Sequence, residues 1–362
     1  MAMLISRIQI GHHILRHNEK NPGPFHRAII NSGAPTSRVV RKFDADLHEQ
    51  QFREFLHEVG CPPHLSDTEI LPFLRSAPIA DIVRAQNTVF DRYNPSLLWA
   101  FQPVIDGDLI KKSPIDVWHS GDYYKIPIMT GFCNNEGSLY VDKQMSSPQQ
   151  FTNFFRTLLP GLSNEDITTI TKLYPDPSDG TDDTYLVPGT MSDVGSQYRR
   201  VEAAYAEYAY IAPVRETARL ASANQVAPIY LYQWALQTTV AGGASHGDNM
   251  RYETCTPDVV KRSRAQEELA GVFHAYMTSF ICHKGDPNAL DGEWSNRPIW
   301  SKYTSGDPKV MLFGKGNQEL IGGGIGVSAQ LVNDGRALEA CKFWSEKIKG
   351  LSGIRPAMKS VD

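Results

Sequence analysis

Four short apolar segments that end in turn residues constrain the fold of this chain more than any other feature of its sequence. They are rich in β-branched or aromatic residues, which is typical of buried strands, and they span residues 27–31, 126–130, 228–234 and 309–313. Between them lie stretches with apolar residues at three- and four-residue spacing, which favour helices; the clearest are 50–59, 197–221 and 266–281. Strands that alternate with helices predict an α/β fold with a mainly parallel central sheet flanked by helices.

The composition argues against several classes of function. The 362 residues include 36 Lys and Arg against 40 Asp and Glu, a net charge of −4, which disfavours nucleic acid as the main partner. No apolar run reaches the ~18 residues that a transmembrane helix needs, and residues 1–5 are too short for the core of a signal peptide. The five cysteines are spread too widely for a zinc site, as expected of reduced thiols in the cytosol. We therefore expect a cytoplasmic location and no metal.

Two titratable residues follow predicted strands in glycine-rich loops. Glu136 comes after the second strand and His246 after the third. In doubly wound sheets, the loops after the carboxyl ends of the strands carry the chemistry. A carboxylate and a histidine placed there can form the orienting half of a hydrolase triad, in which the carboxylate sets the tautomer of the imidazole. The alternatives are a solvated glutamate and a histidine with a structural role.

Six motifs, in a consistent order over nearly the whole chain, resemble the carboxyl-terminal part of a type B carboxylesterase. They are Gly-Pro-Phe-His-Arg-Ala-Ile-Ile-Asn-Ser-Gly at 23–33, Phe-Gln-Pro-Val-Ile-Asp-Gly at 101–107, the Asn-Glu-Gly within 131–137, Ser-His-Gly at 245–247, Phe280 with Gly-Asp-Pro-Asn at 285–288, and Cys-Lys-Phe-Trp at 341–344. The branch most similar is that of the cholinesterases and fungal lipases. The resemblance implies an α/β-hydrolase fold, with a partial domain over residues 1–350 and a flexible tail over residues 351–362.

The resemblance also implies a mechanism and assigns residues to it. The family hydrolyses carboxylic esters, including lipids, through an acyl-enzyme on serine, without a metal or organic cofactor. Carried over to this chain, Glu136 becomes the triad acid and His246 the general base and acid. The order nucleophile, acid, histidine is that of the α/β-hydrolases. The family's nucleophile lies in Gly-Glu-Ser-Ala-Gly, and counting back from Gly11 places Leu4 where that serine is expected.

Leucine cannot attack a carbonyl, so the resemblance implies a chain that lacks the nucleophile. The resemblance places the nucleophile elbow at residues 2–6, where neither of its glycines is present, and the first strands of the sheet and the oxyanion-hole loop upstream of residue 1. We expect such an amino-terminally truncated chain to be inactive as written and its first strand, 27–31, to have an open edge that lowers solubility. The alternatives are a non-catalytic binding module of the same family and a decayed or misannotated fragment. If the true amino terminus lies upstream, the protein can also be secreted.

Three serines of this chain are weaker candidates for the nucleophile. Ser245 completes a literal G-x-S-x-G at 243–247, but no amphipathic helix follows it and the family places its histidine there. Ser32 follows the first strand, where a turn-forming hydroxyl is expected. Ser6 lies in a segment without turn signals.

Two further patterns suggest sites that the rest of the sequence does not support. His12, His13 and His17 are spaced as on one helix, but without an H-E-x-x-H pattern we interpret them as a solvated helix face and not as metal ligands. The family commonly bridges a cysteine at the position of Cys61 to a second one that is Phe73 here, so this disulfide is not expected.

Overall fold

The structure is a computed structural model that describes residues 2–180, 182–187, 191, 193–238, 243–289, 292–319 and 326–352, with side chains from residue 8 onward. Its centre is a sheet of five strands in the order β1-β2-β3-β4-β5. The strands are β1 (Ala28–Asn31), β2 (Ile128–Cys133), β3 (Ile229–Trp234), β4 (Lys309–Phe313) and β5 (Ala329–Asn333). The first four pair in parallel, which confirms the predicted strands and the α/β class.

The fifth strand was not predicted, and it runs antiparallel to β4. Its sequence, Ala-Gln-Leu-Val-Asn, has no continuous apolar run, and its residues are half-buried or exposed. Parallel strands covered on both faces are recognised by unbroken hydrophobicity, whereas a half-exposed edge strand does not show that signal. The missing signal explains the omission.

Helices lie on both sides of the sheet. They are α1 (Ala2–Arg16), α2 (Asp46–Val59), α3 (Asp67–Ser76), α4 (Ile79–Tyr93), α5 (Pro114–Ser120), α6 (Pro148–Leu158), α7 (Asn164–Leu173), α8 (Tyr198–Ala206), α9 (Ala212–Asn224), α10 (Met250–Glu253), α11 (Pro257–Val260), α12 (Arg264–Cys282) and α13 (Leu338–Leu351). Two of the predicted helical stretches, 50–59 and 266–281, lie entirely within α2 and α12. Among the described helices, none combines the length and apolarity needed to cross a bilayer.

The third predicted helical stretch, 197–221, is interrupted. A π-helical turn, Glu207–Ile211, separates α8 from α9. Pro213 follows at the start of α9, and because it has no N–H and its ring crowds the carbonyl four residues earlier, the wider turn relieves a clash with Ala209. The break brings Tyr210 of this turn into the candidate site described below.

The alternating side chains of the central strands build a separate core on each face of the sheet. In β2, Ile128 and Phe132 belong to the cluster that packs under α8, α9 and α13. Met129 and Cys133 belong to the opposite cluster, which contains the apolar side chains of α12. This period of two residues covers β2 on both faces, and all six of its residues are buried. The three-layer arrangement holds the ends of β2 and β3 in place.

The amino-terminal part of the chain departs from what the resemblance implies. Residues 2–6, where the elbow was expected, lie in the helix α1, so Leu4 is a helical residue. In the sheet of described strands, β1 is an edge strand that pairs with β2 alone, as expected. Its Ala28 and Ile30 are buried. The predicted tail lies outside the described residues apart from Leu351 and Ser352.

Candidate acid–histidine site

Glu136 and His246 meet just beyond the carboxyl ends of β2 and β3, as the sequence predicts. The two atoms His246 Nδ1 and Glu136 Oε2 lie 2.5 Å apart. The other carboxylate oxygen, Glu136 Oε1, accepts a hydrogen bond of 2.6 Å from the backbone N–H of Cys133, the last residue of β2. Glu136 is fully buried and His246 is 6% exposed. Two contacts therefore fix the carboxylate, one to the strand and one to the histidine.

Direct contacts between the two loops set the geometry of this pair. The backbone N–H of Asn135 donates to the carbonyl of Ala244 at 2.9 Å, and the N–H of Ala244 donates back to Asn135 Oδ1 at 3.1 Å. Ser138 Oγ donates to Ser245 Oγ at 2.8 Å. The residues that precede the acid and the histidine are thus joined, which positions the two functional side chains relative to each other.

The second ring nitrogen of the histidine is available for chemistry. His246 Nε2 is buried and has no hydrogen-bond partner among the described residues. Because Nδ1–H faces a carboxylate, the neutral ring carries its lone pair on Nε2. The ring is held by Tyr140 and Tyr210, whose centroids lie 5.7 Å and 4.8 Å from that of the imidazole. The pair thus presents an oriented base, which is the role that a triad histidine performs.

A cavity of about 340 Å³ lies next to two tyrosine rings that contact His246. Tyr140 and Tyr210 line it, and the same two rings contact His246. Most of the remaining wall is apolar or aromatic and includes Phe90 and Trp99. A mostly apolar cavity with a few polar groups next to a reactive side chain is typical of a small-molecule site.

The structure describes the side chains of two of the three candidate serines, Ser245 and Ser32. Ser245 Oγ accepts from Ser138, and the helix that follows, α10, has only four residues, so Ser245 does not lie at a strand-to-helix elbow. Ser32 follows β1 in the left-handed region, with φ of 49°, and its Oγ is buried without a partner among the described residues. The side chains of Leu4 and Ser6 lie outside the described residues.

Of His12, His13 and His17, His12 is the one that does not lie on a solvated face. Both ring nitrogens of His12 are buried and have no partner among the described residues, and His12 lines the 340 Å³ cavity. Burial, with a smaller contribution from His13, lowers the pKa of His12 to about 4. His13 itself is exposed. Within the described ranges, no three His, Cys, Asp or Glu side chains are grouped so that they could hold a metal ion.

Sequence reasoning missed Glu202, a carboxylate on α8 that lies behind the acid loop. Its Oε2 accepts from Asn135 Nδ2 at 3.1 Å and its Oε1 from the backbone N–H of Gly137 at 3.3 Å. Both donors flank Glu136, so Glu202 supports the loop that carries the acid. Burial raises the pKa of Glu202 to about 7, although Asn135 and Arg336 oppose this rise. The available signal was a glutamate inside the otherwise apolar run 201–206.

Replacing Glu202 with glutamine should make the stability of the protein less dependent on pH. The folded-state pKa of about 7 lies above the unfolded value of 4.5, so the folded state holds a proton that the unfolded state releases. The stabilisation is complete below pH 4.5 and is lost as the pH rises through 7. We expect the stability of Glu202→Gln relative to the parent to improve by about 2–3 kcal/mol between pH 5 and pH 8.5.

Urea unfolding at four or five pH values measures this difference. Burial also raises the pKa of Glu207, Asp248 and Asp334, so several groups make the parent less stable as the pH rises. The difference between variant and parent isolates the contribution of Glu202. Glu339→Gln, an exposed change on α13, controls for the loss of a negative charge. If the stabilities of Glu202→Gln and the parent change in parallel with pH, Glu202 is ionised to the same extent in the folded and the unfolded state, and the prediction is wrong.

Comparisons with known proteins agree with the fold and with the family resemblance. A model of the carboxylesterase family matches residues 9–344. Secreted lipase 4 of Gibberella zeae is 28% identical over 337 residues, which are 92% of this chain and 57% of the lipase. The inactive carboxylesterase-like protein VdtD of Byssochlamys spectabilis is 27% identical, over 61% of this chain and 38% of VdtD. Human neuroligin-2 is 26% identical, over 83% of this chain and 37% of neuroligin-2.

A solved structure, that of Aspergillus niger EstA, superposes with a TM-score of 0.73 at 20% identity, covering 96% of this chain and 63% of EstA. This likeness shows the fold: a mostly parallel sheet flanked by helices, as in the α/β-hydrolases. The chain spans less than two thirds of the length of each of these relatives. Because the family model covers nearly its whole length, this chain belongs to the carboxylesterase family.

Proposed function

We propose that this chain is the acid–histidine part of a serine carboxylic ester hydrolase that acts on a small ester or lipid. Glu136 serves as the acid, His246 serves as the general base and acid, and a serine from another segment serves as the nucleophile. The observation that carries the proposal is the buried contact of 2.5 Å between His246 Nδ1 and Glu136 Oε2, with Nε2 left unpartnered among the described residues. The proposed mechanism uses neither a metal nor an organic cofactor.

The chemistry follows from this geometry. His246 Nε2 takes the proton of the serine hydroxyl while the serine oxygen bonds to the ester carbonyl carbon, and the imidazolium formed is stabilised by Glu136. When the tetrahedral intermediate collapses, the C–O bond to the alcohol breaks and Nε2 returns the proton to the leaving oxygen. Water then attacks the acyl-enzyme with the same base. Leu4 stands at the expected serine position, so we propose that the chain alone is inactive.

We also propose that residues 1–350 form part of one α/β-hydrolase domain and that residues 351–362 form a tail. The family match to residue 344 and the buried Trp344 and Ile348 of α13, which join the same core as β2, support this division. The name of the Gibberella zeae relative favours a secreted protein over the cytoplasmic location predicted from the sequence. Comparing the protein in culture medium and in cell extract distinguishes the two.

A second candidate function is that of a non-catalytic binding module. Two observations favour it: Leu4 occupies the expected serine position, and the relatives include a protein named as inactive together with neuroligin-2. A decayed or misannotated fragment is the remaining alternative. Sequencing the transcript upstream of Met1 for an in-frame Gly-Glu-Ser-Ala-Gly separates a misannotated start from both.

Complementation tests the proposed function directly. The chain is purified alone and together with the amino-terminal part of the Gibberella zeae lipase that precedes the matched region. Both samples are assayed with p-nitrophenyl butyrate and labelled with a fluorophosphonate. We expect no hydrolysis above background and no adduct for the chain alone, and both hydrolysis and an adduct on the supplied serine for the complex. His246→Ala should abolish this activity, whereas His64→Ala, at an exposed histidine, should retain it.

The other outcomes are equally informative. A phosphonate adduct on any serine of this chain would overturn the assignment of the nucleophile to another segment. A stable complex that contains the supplied serine but hydrolyses no ester would favour the binding module.

A further inference from the structure

Arg38 carries a charge that no described carboxylate neutralises. Its Nη2 donates to Tyr210 Oη at 2.6 Å, and its guanidinium lies over the rings of Trp99 and Tyr210, 4.5 Å and 5.2 Å from their centroids. Its Nε is buried and has no hydrogen-bond partner among the described residues. Stacking on aromatic rings stabilises a guanidinium, but a buried charge without a counter-ion still costs free energy. An anion is the group that this surrounding lacks.

Arg38 also has a defined orientation toward a cavity. It lines the 340 Å³ cavity, together with Trp99, Tyr140 and Tyr210. Its backbone adopts the left-handed region, with φ of 62°, a conformation that a residue other than glycine adopts at a cost. The two tyrosines contact both this cavity and His246. Only the ring of a tyrosine therefore separates a ligand held by Arg38 from His246.

A second polar group in the same cavity points to the same kind of ligand. His12 lines the cavity, and both of its ring nitrogens are buried without a partner among the described residues. A neutral imidazole offers one N–H donor, which a carboxylate oxygen can accept. A guanidinium with a free Nε–H and a nearby imidazole, set among aromatic rings, match an organic anion with an apolar tail.

We propose that this cavity binds a carboxylate, with Arg38 providing the positive charge and His12 a hydrogen bond. We also propose a substrate class: esters whose acyl part ends in a second carboxylate, such as monoesters of dicarboxylic acids. Only this part of the proposal rests on the proposed function. Binding of the carboxylate itself requires no nucleophile, and the chain can therefore be tested as it is.

Calorimetric titration of the purified chain with 4-phenylbutyrate and with 4-phenylbutanamide tests the site. The two probes share a tail and differ in charge. We expect the carboxylate to bind at least tenfold more tightly than the amide, Arg38→Gln to remove this preference, and Arg38→Lys to keep part of it. His12→Leu should also weaken binding of the carboxylate. Arg84→Gln and His13→Leu, which alter exposed side chains, should bind as the parent does.

Equal affinity of the parent chain for the acid and the amide would overturn the proposal. This comparison needs no variant, so it remains valid even if Arg38→Gln does not fold. An Arg38→Gln protein that is folded by circular dichroism and binds the acid as the parent does would also overturn it. In the complemented hydrolase, a monoester of glutaric acid should be cleaved with a higher kcat/KM than its diester. Retained binding without any ester hydrolysis counts against the proposed function alone, whereas hydrolysis without a preference for the monoester counts against the carboxylate site alone.

Discussion

Replacing Glu136 with glutamine is expected to slow ester hydrolysis by about 10³- to 10⁴-fold in the complex of this chain with a segment that supplies the serine. If the amide oxygen of the new side chain remains the acceptor for the N–H of Cys133, the amide NH₂ faces His246 Nδ1. The ring must then accept at Nδ1 and carry its proton on Nε2, where it can no longer take a proton from serine. If the amide flips, the buried N–H of Cys133 loses its partner instead.

The assay is the steady-state hydrolysis of p-nitrophenyl butyrate, with circular dichroism to confirm that the variant is folded. Glu268→Gln is the matched control. This glutamate is exposed, and its hydrogen-bond partner is Ser328, which is not part of the proposed triad. We expect it to hydrolyse the ester at the rate of the parent complex. A folded Glu136→Gln complex that stays within tenfold of the parent rate would exclude Glu136 as the triad acid.

Replacing Gly137 with alanine is expected to destabilise the fold by about 3 kcal/mol and to separate Glu136 from His246. A Cβ at this position would lie 2.3 Å from the carbonyl oxygen of Glu202 and 3.1 Å from its carbonyl carbon. Both atoms belong to the backbone of α8, so no side-chain rotation relieves the contact. The loop and the helix must move apart, and the loop carries the acid.

Urea unfolding of the purified variant measures the loss of stability. Gly306→Ala is the matched control, since a Cβ there meets nothing within 4 Å and the residue is exposed. We expect Gly306→Ala to unfold at the denaturant concentration of the parent. A Gly137→Ala variant as stable as this control would show that the loop and α8 do not approach each other this closely.

The parallel strands were readable from the sequence because both of their faces are buried. A segment such as 309–313 is largely apolar and ends at a glycine, and the strand has the predicted bounds. The strand β5 is half-exposed and carries no such signal. The π-helical turn was not predicted either, because the segments on both sides of it, α8 and α9, each keep helical spacing.

The candidate site was predictable to the extent that it follows strand ends. The positions of Glu136 and His246 after two predicted strands, together with the resemblance, were enough to pair them, and the structure brings them together. Glu202 was not predictable, because its contacts to the acid loop depend on how α8 packs against that loop. His12 was assigned to a solvated face because helical spacing shows which residues share a side but not what covers it.

The π-helical turn restricts the length of its segment as well as its composition. Such a turn contains one residue more than the α-helix it interrupts. Deleting a residue from Glu207–Ile211 would remove the extra residue and restore the α-helical repeat, which leaves the flanking helices in register but changes the directions of the side chains within the turn. Tyr210 would then leave both the ring of His246 and the guanidinium of Arg38. A single insertion or deletion in this segment of a related chain would therefore mark a change of ligand even where every residue around the cavity is the same.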